Sequence, residues 1–133
     1  MIKQLTLFEE KYFLPFEPIK HWKFETEIVE HIDLRYKINR RSEIIDCEKN
    51  KQIKPINAKG YAQINLKVNK KWKTFRVHRL VACTFLENNN KLKLTEVDHI
   101  DENKLNNEII NLQWSTRSDN AKKKIHTKQF KMF

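Results

Sequence analysis

The chain has 133 residues and a formal net charge of +10, with 27 Lys and Arg against 17 Asp and Glu. A chain of this length makes about one domain and buries enough surface to fold without covalent or metal staples. The two cysteines, Cys47 and Cys83, are far apart, which argues against a disulfide framework and against a four-cysteine zinc site. No apolar stretch has the length of a signal peptide or a bilayer span, so we expect a soluble intracellular protein.

The positive charge is concentrated in the middle of the sequence. Residues 35–95 carry a net charge of +12, whereas residues 1–34 carry −3 and residues 96–133 carry +1. Lys and Arg side chains bind phosphates and release condensed counterions, so this block predicts a polyanionic partner, above all nucleic acid. Membrane surfaces attract basic blocks mainly through amphipathic helices, and this block has the pattern of strands. We therefore expect no membrane partner.

Residues 1–35 form an N-terminal extension to which the sequence assigns no function. Pro15 and Pro18 oppose a long helix in its first part. Residues 21–33 fit either a short helix or an irregular lead-in to the next segment.

Residues 36–77 have the pattern of a β-rich module, and a hairpin is its clearest element. Apolar and polar side chains alternate with period two along both arms. Pairing Asn69 with Trp72 across a two-residue loop places Leu66 opposite Phe75 on an apolar face. The hairpin therefore has one face for the core and one for hydrogen bonding.

The polar face of this hairpin is a candidate DNA-binding surface. It carries Gln63, Asn65, Lys67, Thr74 and Arg76. A two-stranded ribbon with such side chains can enter the major groove and contact base edges. The alternative, that these are ordinary surface residues, stays open.

The next elements are a short helix and two strands. Residues 78–85 have apolar side chains at helical spacing and predict a helix on the hairpin's apolar face. Residues 94–100 predict a short strand, and residues 109–114 predict a strand that returns after a polar loop. His78, at the start of the helix, is expected to be structural, although it could instead contact phosphate.

A second helix is expected directly after the returning strand. Thr116 and Asp119 have the spacing of a capping box, in which a threonine caps a helix and an acid stands three residues later. A helix from about Arg117 places Asn120 in its first turn. The order strand, loop, strand and helix defines a ββα unit.

This unit resembles the HNH endonuclease motif of phage and intron-encoded homing endonucleases. The matching residues lie at 97–101, 103–104, 106–107, 111–116 and 120, preceded by 77–82. Residues 36–39, 54–55 and 60–61 resemble the DNA-binding module that often precedes the motif. The likeness covers roughly residues 36–121 and implies an α+β fold. In it, the β-rich module 36–77 precedes a ββα-metal nuclease motif at 78–133, and the two form one compact unit.

The resemblance implies a divalent-metal-dependent endonuclease that nicks or cuts double-stranded DNA. His99 corresponds to the general base, since a neutral imidazole can accept a proton from water near neutral pH. Asp98 and Asn120 correspond to metal ligands, and a carboxylate with an amide oxygen suits one Mg²⁺ or Mn²⁺ per active site. No zinc and no small-molecule cofactor are expected. Asn111 corresponds to an asparagine that ties the loop together through backbone hydrogen bonds.

Two features of the motif set conditions on its geometry. Neighbours on a regular strand point to opposite faces, so Asp98 and His99 line one site only if the strand ends or bends there. In two turns where relatives often have glycine, this chain has residues 40–42 and Glu102. Asn39 and Asn103 are the residues nearby that tolerate positive φ.

Further DNA contacts are expected from Arg79, Lys122 and Lys123, whereas Asn106 and Asn107 are expected to form a turn. Two other functions compete with the nuclease. One is a non-catalytic DNA-binding protein that keeps the HNH fold, and the other is an RNA-binding protein or an RNA-directed nuclease.

Overall fold

A computed structural model of the chain describes residues 15–23, 28–29 and 31–120. The strands in this part are β1 (Glu17–Pro18), β2 (Trp22–Lys23), β3 (Ile28–Val29), β4 (Tyr36–Ile38), β5 (Ile44–Asp46), β6 (Lys51–Ile53), β7 (Ile56–Ala58), β8 (Tyr61–Val68), β9 (Lys71–Arg76), β10 (Glu96–His99) and β11 (Leu112–Ser115). Helix α1 (Val77–Phe85) follows β9, a 3₁₀ turn (Ile109–Asn111) precedes β11, and residues 117–120 are helical. This mixture confirms the predicted α+β class.

The strands pair antiparallel in four small sheets. Their orders are β1-β4-β5-β6, β7-β8-β9, β2-β3 and β10-β11. The β2-β3 pair lies within residues 21–33, where the sequence left a short helix or an irregular lead-in open. Aromatic and β-branched residue types in this segment favour strands. No helix in the described residues is long and apolar enough to cross a membrane.

The β8-β9 hairpin has the predicted faces but a different register. Val68 pairs with Lys71, so the two-residue turn is Asn69–Lys70, and the predicted pair of Asn69 with Trp72 is wrong. Both turn residues have positive φ, 49° and 66°, as a type I′ turn requires. Asparagine adopts this conformation more readily than lysine, so the turn takes it as its first central residue. The slip moves each partner by two positions, and every side chain therefore keeps its face.

The core lies between the apolar face of this hairpin and α1. Phe75 pairs with Ile64 and not with the predicted Leu66, and all three side chains are buried. Leu80 of α1 and Leu112 of β11 belong to the same buried cluster. The β-rich module and the residues after it therefore share one core.

Replacing Leu80 with alanine is expected to lower the free energy of unfolding by about 2–5 kcal/mol, because the fully buried side chain would leave a cavity. Urea denaturation followed by tryptophan fluorescence measures this change. Leu92→Ala is the matched control, since Leu92 is 76% exposed and surface changes usually stay within about 0.5 kcal/mol. Equal losses in the two variants would contradict the described core.

A turn of the β-rich module is bonded to the loop that precedes β11. Asn39 Oδ1 accepts a hydrogen bond from the backbone N–H of Arg41 at 3.1 Å. The Arg40 carbonyl accepts one from the Ile109 N–H at 2.9 Å, and Arg41 Nε donates to Glu108 Oε1 at 3.2 Å. These bonds couple the module to the segment that carries the candidate site.

The two turns that lack glycine form in an unexpected way. Positive φ occurs at Ser42, 69°, and at Glu102, 66°, and not at Asn39 and Asn103. The two asparagines instead accept backbone N–H bonds through their side-chain oxygens, which is the local turn that asparagine favours. The left-handed conformation is taken by Ser42, three residues after Asn39, and by Glu102, directly before Asn103.

Candidate active site

The β10-β11 hairpin carries Asp98 and His99 at the end of its first strand. β10 ends at His99, where the Ile100 N–H donates to the Asn111 carbonyl at 2.8 Å and the Glu102 N–H donates to the His99 carbonyl at 3.0 Å. Asp98 is 8% exposed and His99 is 6% exposed. β10 therefore continues through Asp98 and ends only after His99, which still pairs with Leu112.

The imidazole of His99 is held by Asn107. Its Nε2 lies 2.7 Å from Asn107 Oδ1, and Asn107 is buried. An amide oxygen accepts hydrogen bonds only, so a neutral imidazole donates from Nε2 and has its lone pair on Nδ1. The sequence predicts a turn at Asn106 and Asn107, and nothing in the pattern separates the two residues.

Two further rings lie beside His99. The ring centroid of His78, in the first turn of α1, is 4.9 Å from that of His99, and Tyr61 stacks on His78 at 5.4 Å. Burial lowers the pKa of His78 to about 3, with smaller contributions from nearby His99, Arg76 and Arg79. His78 is therefore neutral near neutral pH. This favours a structural role, in which its ring packs beside that of His99.

Asp98 has a different set of contacts. It lies opposite Gln113 in the β10-β11 ladder, and Gln113 Nε2 donates to Asp98 Oδ2 at 2.9 Å. This bond orients the carboxylate. The structure therefore joins His99 to Asn107 and His78, and joins Asp98 to Gln113, as expected for side chains that alternate along a strand.

Asn120 lies in the helical residues 117–120 that follow β11. The Asp119 N–H donates to Thr116 Oγ1 at 3.0 Å, and the Asn120 N–H donates to the Thr116 carbonyl at 3.1 Å. Thr116 is thus the N-cap, as its spacing predicted. Asn120 occupies the first turn of this helical segment, in the ββα unit that carries Asp98 and His99.

Asn111 closes the loop between the two strands. Its Nδ2 donates to the Asn106 carbonyl and to Asp101 Oδ1, each at 2.8 Å, and its Oδ1 accepts from the Asp101 N–H at 3.0 Å. These are the contacts that a loop-tying role needs. Hydrogen bonds from Asn106, from the Asn103 N–H and from Asn111 lower the pKa of Asp101, so this carboxylate stays charged near neutral pH.

The hairpin candidates for DNA contact share one face of β8 and β9, on which Asn65, Thr74 and Arg76 are exposed and Gln63 and Lys67 are half-buried. Gln63 lies opposite Arg76, and Thr74 Oγ1 donates to Asn65 Oδ1 at 2.6 Å. The hydrogen-bonding side chains are thus arranged in two facing rows.

The remaining candidates for DNA contact differ from this set. Arg79 is half-buried and its Nη1 donates to the Thr95 carbonyl at 2.8 Å. Burial lowers the pKa of Arg79, and its guanidinium lies 5.9 Å from the ring centroid of Trp114. Arg79 therefore has contacts within the protein. Lys122 and Lys123 lie outside the described residues.

The candidate ligands are oxygen donors. No group of three or more His, Cys, Asp and Glu side chains in the described residues is placed to hold a metal ion. The predicted set is of another kind, one carboxylate from Asp98 and one amide oxygen from Asn120. Hard oxygen donors of this type suit Mg²⁺ or Mn²⁺, with water and phosphate oxygens completing the shell. The donor chemistry therefore fits the expected ion.

Comparison with known proteins finds similarity to HNH endonucleases. Residues 75–122 match the family model described as HNH endonuclease. An uncharacterized HNH endonuclease of Acanthamoeba polyphaga mimivirus is 38% identical over 94 residues, which is 70% of this chain and 28% of that protein. The DNA endonuclease I-HmuI of Bacillus phage SP01 is 39% identical over 87 residues, which is 65% of this chain and 49% of that protein.

A solved structure shares the fold. It is described as "DNA binding and cleavage by the HNH homing endonuclease I-HmuI", and it matches with a TM-score of 0.62 and 36% identity. The match covers 69% of this chain and 52% of that one. The chain spans less than half of the length of the mimivirus and phage relatives.

Proposed function

We propose that the chain, whose residues 75–122 match the model described as HNH endonuclease, is a divalent-metal-dependent DNA endonuclease of that family. It hydrolyses phosphodiester bonds of double-stranded DNA, by nicking or by cutting both strands. The observation that carries this proposal is the buried pair of Asp98 and His99 at the end of β10, with His99 Nε2 held 2.7 Å from Asn107. I-HmuI is named a DNA endonuclease, and its solved structure is described as one of DNA binding and cleavage, which supports DNA as the substrate.

His99 acts as the general base in this proposal. Its Nδ1 takes a proton from the water that attacks the phosphorus atom, while the bond from phosphorus to the 3′ oxygen breaks. Asn107 Oδ1 holds Nε2–H, so the imidazole keeps one tautomer and one orientation. The packing of His78 on the ring limits its rotation further.

Asp98 and Asn120 hold one Mg²⁺ or Mn²⁺ in this proposal. When bound, such an ion stabilises charge on the phosphoryl oxygens and on the leaving oxygen. Gln113 holds the Asp98 carboxylate in position through its 2.9 Å hydrogen bond. Such outer hydrogen bonds orient ligands at metal sites generally.

The β-rich module 36–77 binds the DNA duplex, and the ββα motif at 78–133 performs the cleavage. The facing rows of polar side chains on β8 and β9 support a groove contact by this hairpin. The two parts act as one unit because they share a core. Relatives from a mimivirus and a Bacillus phage support action inside an infected cell.

Asn107→Ala is expected to lower the cleavage rate at saturating DNA, by about 10–100-fold, with little change in DNA binding. The reason is that the imidazole of His99 loses its anchor, and partners of this kind are worth about that much at other active sites. Single-turnover cleavage of a labelled duplex measures the rate. Asn106→Ala is the control, because it removes a neighbouring amide that does not bond His99. This variant should cleave DNA faster than Asn107→Ala. Equal loss in both variants would assign Asn107 to the loop alone.

The proposed function is tested by mixing the purified chain with supercoiled plasmid and with RNA, each with Mg²⁺ and with EDTA. Nicked or linear plasmid with Mg²⁺ and intact plasmid with EDTA is the expected result. Binding of the plasmid without cleavage would point to the non-catalytic DNA-binding protein. Cleavage of the RNA alone would point to the RNA-directed nuclease.

A further inference from the structure

Two positively charged side chains lie against the ring of Tyr61. The guanidinium carbon of Arg76 is 4.1 Å from the ring centroid, and Lys104 Nζ is 4.6 Å from it. Arg76 ends β9, whereas Lys104 belongs to the loop between β10 and β11. The Lys104 stem reaches the ring by passing Gly60, since a Cβ built there would lie 3.8 Å from Lys104 Cδ. Tyr61, Arg76 and Lys104 are called the Tyr61 cluster below.

The two cations of the Tyr61 cluster are not neutralised within the described residues. Neither Arg76 nor Lys104 takes part in the ion pairs of that region, which involve Arg35 and Arg41. Both side chains are exposed. A cation on an aromatic face gains little at an exposed site, and two like charges near one ring repel each other. An anion between them would turn this repulsion into attraction.

The Tyr61 cluster lies beside the candidate base. The ring of Tyr61 stacks on His78 and is 6.5 Å from the ring of His99, centroid to centroid. An anion held by Arg76 and Lys104 is therefore close to the phosphate at which His99 acts as the general base. In a DNA strand, the neighbouring anion is the next phosphate along the backbone. Contacts to backbone phosphates fix the register of a protein on the duplex without reading its sequence.

We propose that Arg76 and Lys104, supported by the ring of Tyr61, clamp a backbone phosphate next to the one that is cleaved. This inference rests on the proposed function, in which the cleaved substrate is a DNA strand and His99 acts at the cleaved phosphate. It assigns Lys104 and Tyr61 a part in substrate binding, and it separates Arg76 from the groove-facing residues of the hairpin. The clamp orients the strand so that the scissile phosphate meets His99.

The test compares Arg76→Gln, Lys104→Gln and the double variant with the wild type in DNA binding at several salt concentrations. Binding is measured in EDTA, so that no DNA is cut. Each single variant is expected to reduce the salt dependence, the slope of log K against log salt, by about 1, and to weaken binding equally on unrelated sequences. Lys91→Gln is the matched control, because Lys91 Nζ also lies on a ring, 4.3 Å from the centroid of Trp22.

A second measurement locates the phosphate. Neutral methylphosphonates are placed one at a time around a cleavage position mapped with the wild type. At one position next to the cut, the methylphosphonate is expected to weaken DNA binding by the wild type. At the same position it should not weaken binding by the double variant further, because that protein already lacks both cations. The clamp is overturned if Lys91→Gln changes the slope of log K against log salt as much as Lys104→Gln does. It is also overturned if no methylphosphonate position abolishes the difference in DNA affinity between the wild type and the double variant.

The outcomes also separate this inference from the proposed function. Cleavage by the wild type, with unchanged salt dependence in both single variants, would overturn the clamp alone. A wild type that binds plasmid but never cuts it would overturn the proposed nuclease and, with it, the placement of the clamp next to a cleaved phosphate.

Discussion

His99→Ala is expected to lower the rate of DNA cleavage by about 100- to 10,000-fold, the usual contribution of a general base, while DNA binding stays close to that of the wild type. The imidazole is buried at the end of β10 and is anchored through Nε2 on Asn107, so its removal takes away the proton acceptor without touching the exposed basic face. Single-turnover rates on a labelled duplex and binding in EDTA measure the two effects separately.

The matched control for this variant is His31→Ala, because His31 is an exposed histidine in the described part of the chain. It should cleave at the wild-type rate. Circular dichroism and the urea midpoint of His99→Ala show whether the fold is kept. A folded His99→Ala protein that cleaves like the wild type would remove the assignment of His99 as the base.

The second large effect is expected from the candidate ligands. Asp98→Ala and Asn120→Ala should each weaken activity and raise the Mg²⁺ concentration needed for half-maximal cleavage. Outer hydrogen-bond partners at metal sites are worth about 10–100-fold, so loss of a ligand should exceed ~10-fold. Gln113→Ala, which removes only the 2.9 Å bond to Asp98, should give a smaller shift in the same direction. Magnesium titrations of the cleavage rate measure all three.

Glu87→Gln is the control for the loss of a carboxylate, since Glu87 is exposed. Its Mg²⁺ titration should match that of the wild type. Unchanged titrations in Asp98→Ala and Asn120→Ala would show that these two residues are not the ligands.

Local features of the sequence predicted much of the architecture. The helix α1 and the cap at Thr116 appear as expected, because helical spacing and capping chemistry act within a few residues. The strand predicted over residues 94–100 appears as β10, Glu96–His99. The hairpin faces were predicted correctly because a slip of two positions does not change the side on which a residue lies.

Features that depend on distant contacts could not be predicted from the sequence. Asn107 meets His99 because the loop between β10 and β11 folds back, and Tyr61 meets His78 through packing of β8 against α1. The hairpin register depended on which residues of the turn take positive φ. Asparagine adopts positive φ readily, so the turn forms at Asn69–Lys70. Residue types alone do not show such contacts, since asparagine and tyrosine are common in ordinary loops and strands.

The measurement that tests this account most directly is a structure of the His99→Ala variant with uncut duplex DNA and Mn²⁺. We expect one ion bound to an oxygen of Asp98 and to the amide oxygen of Asn120, at the ~2.1 Å of hard octahedral cations, with a phosphate oxygen in its shell. The space left by the imidazole should face that same phosphate. An ion bound elsewhere, or DNA lying away from these residues, would contradict the proposed active site.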